Sequence, residues 1–350
     1  MRMKSSAALV SAAAVTALVL SACGSEESGG TISGEGSTAQ QKAMEHFQVV
    51  VADNGGNVLN YTGSGSGDGI AKFLSSDVDF AGSDSPLKDE EIAEAKTRCG
   101  GNDAWHIPLV AGPVAIAYNL PGVEGVVLNP TVLAGIFDSK ITTWDAPEIA
   151  ALNPGKELPA TPIVPVHRSD SSGTTDNFQR FLQDSAPEAW PYEHDKTFKG
   201  QGGSGASKST GVGDTVKKTA GSVTYVEWGF AEENDLGIAQ IDFGVGATEL
   251  NGETSGKALD AVTFKDPGSK DLIVDTDALY AMQEPGAYPL LLTPYSIVCS
   301  AGYEGDVSAT LKDSFTVILN DGQDGLAEIG YTPLPAEYKA KLQSTIDALA

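Results

Sequence analysis

The stretch Arg168-Ser169-Asp170-Ser171-Ser172-Gly173-Thr174-Thr175 puts a guanidinium, a carboxylate and a run of hydroxyls at one turn. It follows the apolar extended run Pro162-Ile163-Val164-Pro165-Val166 and leads into Asn177-Phe178-Gln179-Arg180-Phe181-Leu182, a pattern that predicts a helix. Strand, small-residue turn and helix start together aim orphan backbone N–H groups and the positive end of a helix dipole at one point. Ser172 and Thr174 add hydroxyl donors there, and Arg168 adds a planar fork suited to a tetrahedral oxyanion. Asp170 is placed to hold that fork. Taken alone, the segment also reads as a Ser/Asp N-cap with a loop arginine.

Other turns of the same chemistry lie upstream. Gly34-Glu35-Gly36-Ser37-Thr38-Ala39 follows the short start Thr31-Ile32-Ser33 and precedes a helical run with Ala39, Ala43, Phe47 and Val50 on one face. Asn60-Tyr61-Thr62-Gly63-Ser64-Gly65-Ser66-Gly67-Asp68-Gly69 precedes Ile70-Ala71-Lys72-Phe73-Leu74. Val78-Asp79-Phe80-Ala81-Gly82-Ser83-Asp84-Ser85-Pro86-Leu87 ends a strand on a carboxylate, Asp84. One glycine-rich turn is weak evidence, because turns need glycine anyway. Three helix starts of one chemistry, with an arginine, imply a single converging anion site.

The elements that must position these turns alternate between strand and helix, as an α/β domain requires. More than 300 residues remain after the N-terminal leader, too many for one ordinary core, so two lobes are expected. Residues 31–107 with 291–350 would form the first lobe, and residues 113–286 the second. Ligands in such sheets sit beyond the strand carboxyl ends, where all four motifs fall.

Together these residues resemble the phosphate-specific substrate-binding protein of a bacterial ABC-type phosphate importer. The resemblance rests on the Gly34–Ala39 turn, Asn60-Tyr61, the Asp79–Leu87 stretch, and Lys140-Ile141-Thr142-Thr143-Trp144-Asp145. It continues through Leu152-Asn153-Pro154-Gly155, the Arg168 segment, Val223-Thr224-Tyr225-Val226-Glu227 and Tyr288-Pro289-Leu290. It implies the two-lobed, two-crossover fold of periplasmic binding proteins (type II), with the chain passing between the lobes near Pro108-Leu109-Val110-Ala111-Gly112-Pro113 and near Gly286-Ala287-Tyr288-Pro289-Leu290, and with closure around the ion between the lobes. It also implies a phosphate site made of Thr38, the Ala39 N–H, Ser66, Asp84, Arg168, Ser172, the Gly173 N–H and Thr174, supported by Ser37 and by Asp170 paired with Arg168. Thr38, Ser66 and Asp84 would come from one lobe, and Arg168, Ser172 and Thr174 from the other. Implied partners are ABC permease subunits with a cytoplasmic ATPase; no cofactor is called for. The chain departs from the family pattern at Ala39 (an aromatic is common), at Ser171 (a frequent glycine) and at Asp68, an added charge near the second turn.

The first residues read as an export signal. Arg2 and Lys4 form a basic start, Ala7 to Leu20 a short apolar run, and Leu20-Ser21-Ala22-Cys23 resembles a lipoprotein processing site. Residues 1–22 would be removed, Cys23 would carry acyl chains into the cell membrane, and residues 23–30 would be a flexible tether. Formal charge is −25, and loss of Arg2 and Lys4 takes it to about −27. Nucleic acid is thereby an unsuitable partner. Such a field repels anions at long range, so capture must rest on short-range hydrogen bonds in a desolvated cleft.

With Cys23 lipidated, Cys99 and Cys299 remain; they would close one disulfide or stay as two buried thiols. His46, His106, His167 and His194 show no ligand spacing, so no metal site is expected, and His167 reads as structural. Gly203-Ser204-Gly205-Ala206-Ser207-Lys208-Ser209 resembles a nucleotide-binding loop, but Ser207 stands where glycine is required and no β-branched strand feeds it. That segment reads as a mobile surface loop. A serine hydrolase or phosphatase-like surface enzyme would need a nucleophile elbow, and no Gly-x-Ser-x-Gly occurs at a strand–helix turn. Ser172, His167 and Asp170 lie too close along the chain for a triad. A phosphate-sensing surface lipoprotein without transport would share the binding site and differ only in its partners.

Overall fold

The computed structural model describes residues 29–350, so the signal peptide 1–22, Cys23 and the start of the tether lie outside the described residues. Strands β1 (Thr31–Gly36), β2 (Val58–Gly63), β3 (Phe80–Ser83) and β4 (Ala104–Ile107) come first. They are followed by β5 (Gly112–Tyr118), β6 (Val127–Leu128), β7 (Val164–Arg168), β8 (Ser204–Ala206) and β9 (Ser222–Glu227). The last are β10 (Gly237–Ile238), β11 (Gln240–Asp242), β12 (Ala247–Thr248), β13 (Leu291–Leu292) and β14 (Tyr295–Cys299). One sheet has the order β2-β1-β3-β14-β4, and a second has β10-β5-β9-β7-β8 with β13 beside β5. Strands β6, β11 and β12 form a small third sheet. This is the expected two-lobed α/β architecture.

The first sheet is parallel through β2, β1 and β3, and β14 runs antiparallel between β3 and β4. In the second sheet β7 is parallel to both β8 and β9. Consequently the carboxyl ends of β1, β2 and β3 lie together, as do those of β7, β8 and β9. The chain leaves the first sheet after Ile107 and enters the second at Gly112. On the way back Leu291 and Leu292 still pair with β5, so the return is made at Thr293-Pro294. Between these passages, Leu272 N donates to His106 O, and Val274 packs with Ile70, Phe73 and Tyr295 beside the first sheet.

Helices α1 (Gln41–Gly55), α2 (Ser66–Leu74), α3 (Asp89–Arg98), α4 (Pro130–Phe137), α5 (Pro147–Leu152), α6 (Gly173–Ser185), α7 (Lys208–Lys218) and α8 (Trp228–Glu233) cover the sheets. Their buried faces supply the core. On α1 the buried residues are Ala43, Met44, Phe47 and Val51. The inward position is therefore Val51 and not the expected Val50, because 3.6 residues per turn carries the stripe one place on. The second lobe centres on Tyr225, which stacks on Phe178 at 4.3 Å between ring centres, with Phe137 packed against both. Trp144 is buried beside Tyr118 and donates from Nε1 to Gly221 O at 2.9 Å.

Cys99, just after α3, and Cys299, the last residue of β14, form a disulfide with Cα atoms 5.4 Å apart. The alternative of two buried thiols is set aside. Among the described residues no helix is long and apolar enough to cross a membrane.

The segment Gly203–Ser209 is not a surface loop. Ser204–Ala206 is strand β8, paired in parallel with β7 through Val166, His167 and Arg168, and it feeds directly into α7. A three-residue edge strand of serine, glycine and alanine has no β-branched signature; its partner strand supplies the ladder that its composition does not advertise.

Candidate anion-binding site

Six strand ends converge between the two sheets. At the end of β1, Gly36 has a φ of +142°, and a Cβ there would lie 2.0 Å from Gly82 O; only glycine lets β1 and β3 approach this closely. Ser37 follows and accepts from Ala39 N–H at 3.0 Å, starting a short 3-10 turn, Thr38–Gln40. Tyr61, on β2, donates to Ser37 O at 2.8 Å and holds the turn. After β2 comes Ser66, the first residue of α2, and after β3 comes Asp84. From the second sheet come Arg168 at the end of β7, Ser209 just beyond β8, and Glu227 at the end of β9. Thr38, Ser66, Asp84, Arg168, Ser172, Thr174, Ser209 and Glu227 are all buried.

Arg168 is clamped. Its Nε donates to Asp170 Oδ1 at 2.8 Å and its Nη2 to Oδ2 at 2.5 Å, a bidentate pair. Lys208 N–H also donates to Asp170 Oδ1, at 2.9 Å. Burial opposes ionisation of Asp170, but the Arg168 hydrogen bonds and charge outweigh it and hold the carboxyl below its ordinary value. Arg168 Nη1 is left to reach inward, where it donates to Ser209 Oγ at 3.3 Å.

Asp84 is the opposite case. Burial pushes it up to about 7, the Glu227 charge adds to the rise, and the Ser37 hydroxyl and Arg168 pull it back only in part. Its carboxylate collects the hydroxyls of Ser37 and Ser66, the latter at 3.3 Å. The lobes touch directly here. Gly173 N–H donates to Ser66 Oγ at 3.2 Å, Asn177 Nδ2 to Asp84 O at 2.7 Å, and Thr38 Oγ1 lies 2.8 Å from Ser209 Oγ. Lys208 Nζ donates to Gly63 O at 2.7 Å, also between the lobes.

Every residue singled out from the sequence is therefore at or beside this point, though their present bonds differ in kind. Ser172 Oγ accepts from Thr175 N–H at 3.2 Å as the N-cap of α6, and Thr174 Oγ1 donates to Glu227 Oε1 at 2.6 Å. The Ala39 and Gly173 N–H groups serve Ser37 and Ser66. Asp68 is exposed in the first turn of α2, so its charge favours the helix dipole and faces solvent. Ser171 takes the glycine place without a positive φ, and its carbonyl accepts from Gly67 N–H at 3.1 Å. The His167 ring stacks on Phe198 at 4.2 Å and its Nδ1 lies 3.0 Å from Arg168 O, away from Ser172. These positions do not form a triad.

Sequence reading missed Ser209 and Glu227 as members of the site. A signal for each was present. Ser209 precedes Val212 and Val216 at helical spacing, and Glu227 closes an apolar strand as Asp84 does.

A model of the PBP superfamily domain matches residues 21–316 of the chain. The phosphate-binding protein PstS 3 of Mycobacterium tuberculosis is 40% identical over 372 residues, covering 100% of each chain. Among solved structures, a high-affinity periplasmic phosphate-binding protein (PfluDING) bound with phosphate superposes with a TM-score of 0.72 at 23% identity, over 90% of this chain and 93% of its own. A phosphate-binding protein from Stenotrophomonas maltophilia superposes with a TM-score of 0.69 at 19% identity, over 90% and 93%. The two superpositions are likenesses of fold.

Proposed function

The chain belongs to the PBP superfamily, and within it to the phosphate-binding proteins of the PstS type; on that premise we propose that it captures inorganic phosphate outside the cytoplasm for delivery to an ABC-type import permease. It is a binding protein and not an enzyme. The observation that carries the reading is the buried meeting of Arg168, clamped by Asp170, with Asp84 and the hydroxyls of Thr38, Ser66 and Thr174 from opposite lobes. A tetrahedral oxyanion needs donors from many sides and a positive group that can offer it parallel N–H bonds, and this arrangement supplies both.

The proposed ligand set is Thr38, Ala39, Ser66, Asp84, Arg168, Ser172, Gly173 and Thr174, with Ser37 and Asp170 in support. On binding, the hydroxyls that now serve Asp84 and Glu227, and the N–H groups that now serve Ser37 and Ser66, turn to the anion. Phosphate keeps at least one proton near neutral pH and donates a hydrogen bond through it to Asp84; sulfate has none to donate and would set anion against carboxylate in a dry cleft. The lobes, 31–107 with the chain end after the return at Thr293-Pro294 and the stretch between the two passages, close on the ion by hinge motion at those passages. Cys23 anchors the protein by lipid, and the partners are permease subunits driven by a cytoplasmic ATPase.

Calorimetry of the ligand-stripped mature protein against phosphate, arsenate and sulfate tests this reading. Phosphate is expected to bind with a dissociation constant of ~1 μM or tighter, about −8 kcal/mol, and sulfate not measurably. No heat and no thermal shift at millimolar phosphate would overturn it.

A further inference from the structure

We propose that Glu227 is a second carboxylate of the anion site, and that its unpartnered oxygen accepts a hydrogen bond from phosphate, so that the ion is held as dihydrogen phosphate. The inference rests on the phosphate reading above and names the ionic form that the site selects.

Glu227 ends β9 and is buried. Oε1 takes the Thr174 hydroxyl at 2.6 Å, but Oε2 is buried with no hydrogen-bond partner among the described residues. A carboxylate oxygen so placed is costly unless something donates to it. The neighbouring donors are already engaged. Tyr331, from the C-terminal stretch, gives its hydroxyl hydrogen to Ala39 O at 2.8 Å. Tyr225, on the same strand, is engaged with Thr175 Oγ1 at 2.7 Å, and Arg168 with Asp170 and Ser209.

Charge points the same way. The groups facing Glu227 are Asp84 from the turn after β3, Arg168 with Asp170 from the end of β7, and the hydroxyl of Tyr331. Strand β5 brings the apolar Val114 opposite it; Lys208, which starts α7, turns its Nζ to Gly63 O of the first lobe, and Lys42, paired with Glu233, gives its Nζ to Gly229 O in the first turn of α8. Two buried carboxylates, Asp84 and Glu227, thus face one guanidinium that Asp170 already pairs with. A dianion with one hydrogen could satisfy Asp84 or Glu227, but not both; an anion with two hydrogens satisfies each and brings one charge less. The upward shift of Asp84, to which the Glu227 charge contributes, reflects the same crowding.

The test is proton-linked calorimetry of the mature, ligand-stripped protein at about pH 8, where free phosphate is mostly the dianion, in two buffers of different ionisation enthalpy. Wild-type protein should take up about one proton per phosphate, and its apparent affinity should fall roughly tenfold per pH unit above that point. Glu227→Gln presents an amide that can donate to the dianion, so proton uptake should drop to near zero and the pH dependence should flatten. Wild-type binding without proton uptake, or a variant that takes up as many protons as wild type, overturns the proposal. If Glu227→Gln fails to fold, the wild-type affinity profile decides alone, and a flat profile overturns it. Absence of phosphate binding at every pH would instead refute the phosphate reading.

Discussion

Thr38 and Ser209 meet hydroxyl to hydroxyl at 2.8 Å across the boundary between the two sheets. Thr38 follows β1 and Ser209 follows β8, and 171 residues of chain separate them. Because Ser209 also accepts from Arg168 Nη1, it stands between a donor of one lobe and the guanidinium of the other. Ser209 is therefore placed to give its hydroxyl to an oxyanion held by Thr38 and Arg168.

Ser209→Ala should weaken phosphate binding roughly tenfold, the scale of one hydrogen bond in a charged network, about 1.5 kcal/mol. Thermal stability of the ligand-free protein should also fall, by about 1–3 kcal/mol, since Arg168 Nη1 and Thr38 Oγ1 each lose a buried partner. Calorimetry and a thermal melt check this; an unchanged isotherm would remove Ser209 from the site.

Asp84→Asn should relax the exclusion of sulfate and weaken phosphate, because an amide donates as well as accepts. It should also change stability in a pH-dependent way. With an ordinary value of 3.8 raised to about 7, Asp84 binds a proton more tightly in the folded chain than in the unfolded one. Its contribution to stability is therefore fully present below the unfolded value and is lost as pH rises through the folded value. Relative to wild type, the ligand-free Asn variant should gain about 2–4 kcal/mol at pH 8 and nothing near pH 3. Denaturant titrations of both proteins at the two pH values decide it; a constant difference would mean that Asp84 is not strained by burial.

Gly173 lies where the lobes touch, and a Cβ there would stand 2.4 Å from Ser66 Oγ and 2.6 Å from Asp84 Oδ2. Gly173→Ala should leave each lobe intact, since alanine suits the first turn of α6. Closure should suffer, with phosphate affinity falling on the order of 10–100-fold, the scale of overpacking at a tight contact. A melt in which phosphate still raises the midpoint as it does in wild type would show that the contact yields without penalty.

Cys99 and Cys299 join the end of α3 to the end of β14 across 200 residues of chain. A variant lacking Cys23, unfolded without reductant, should show no free thiol. Replacing both cysteines by serine should cost roughly 2–5 kcal/mol of stability, read from denaturant midpoints. Two titratable thiols per chain would contradict the disulfide.

Much of the site was legible because its chemistry is local. A strand followed by a small-residue turn and a helix start announces exposed N–H groups within a few residues, and Arg168 carries its own clamp two positions away in Asp170. The same local grammar marked the turns at Ser37 and Ser66, and the carboxylate after β3. It failed at Ser204–Ala206, whose residues have no strand preference and become a strand only beside β7.

By itself, then, the amino-acid sequence determined the alternation of strand and helix, the turns that carry donors, the Arg168–Asp170 pair and the two cysteines available to each other. Only the tertiary structure decided that Ser209 bridges Arg168 to Thr38, and that Glu227 shares one buried space with Asp84. Parallel pairing of β7 with both β8 and β9 brings three carboxyl ends of the second sheet to one place, against those of the first. Hydrogen bonds and charge act over a few ångströms of space, and no spacing along the chain encodes a distance between residues that meet only when two sheets face each other.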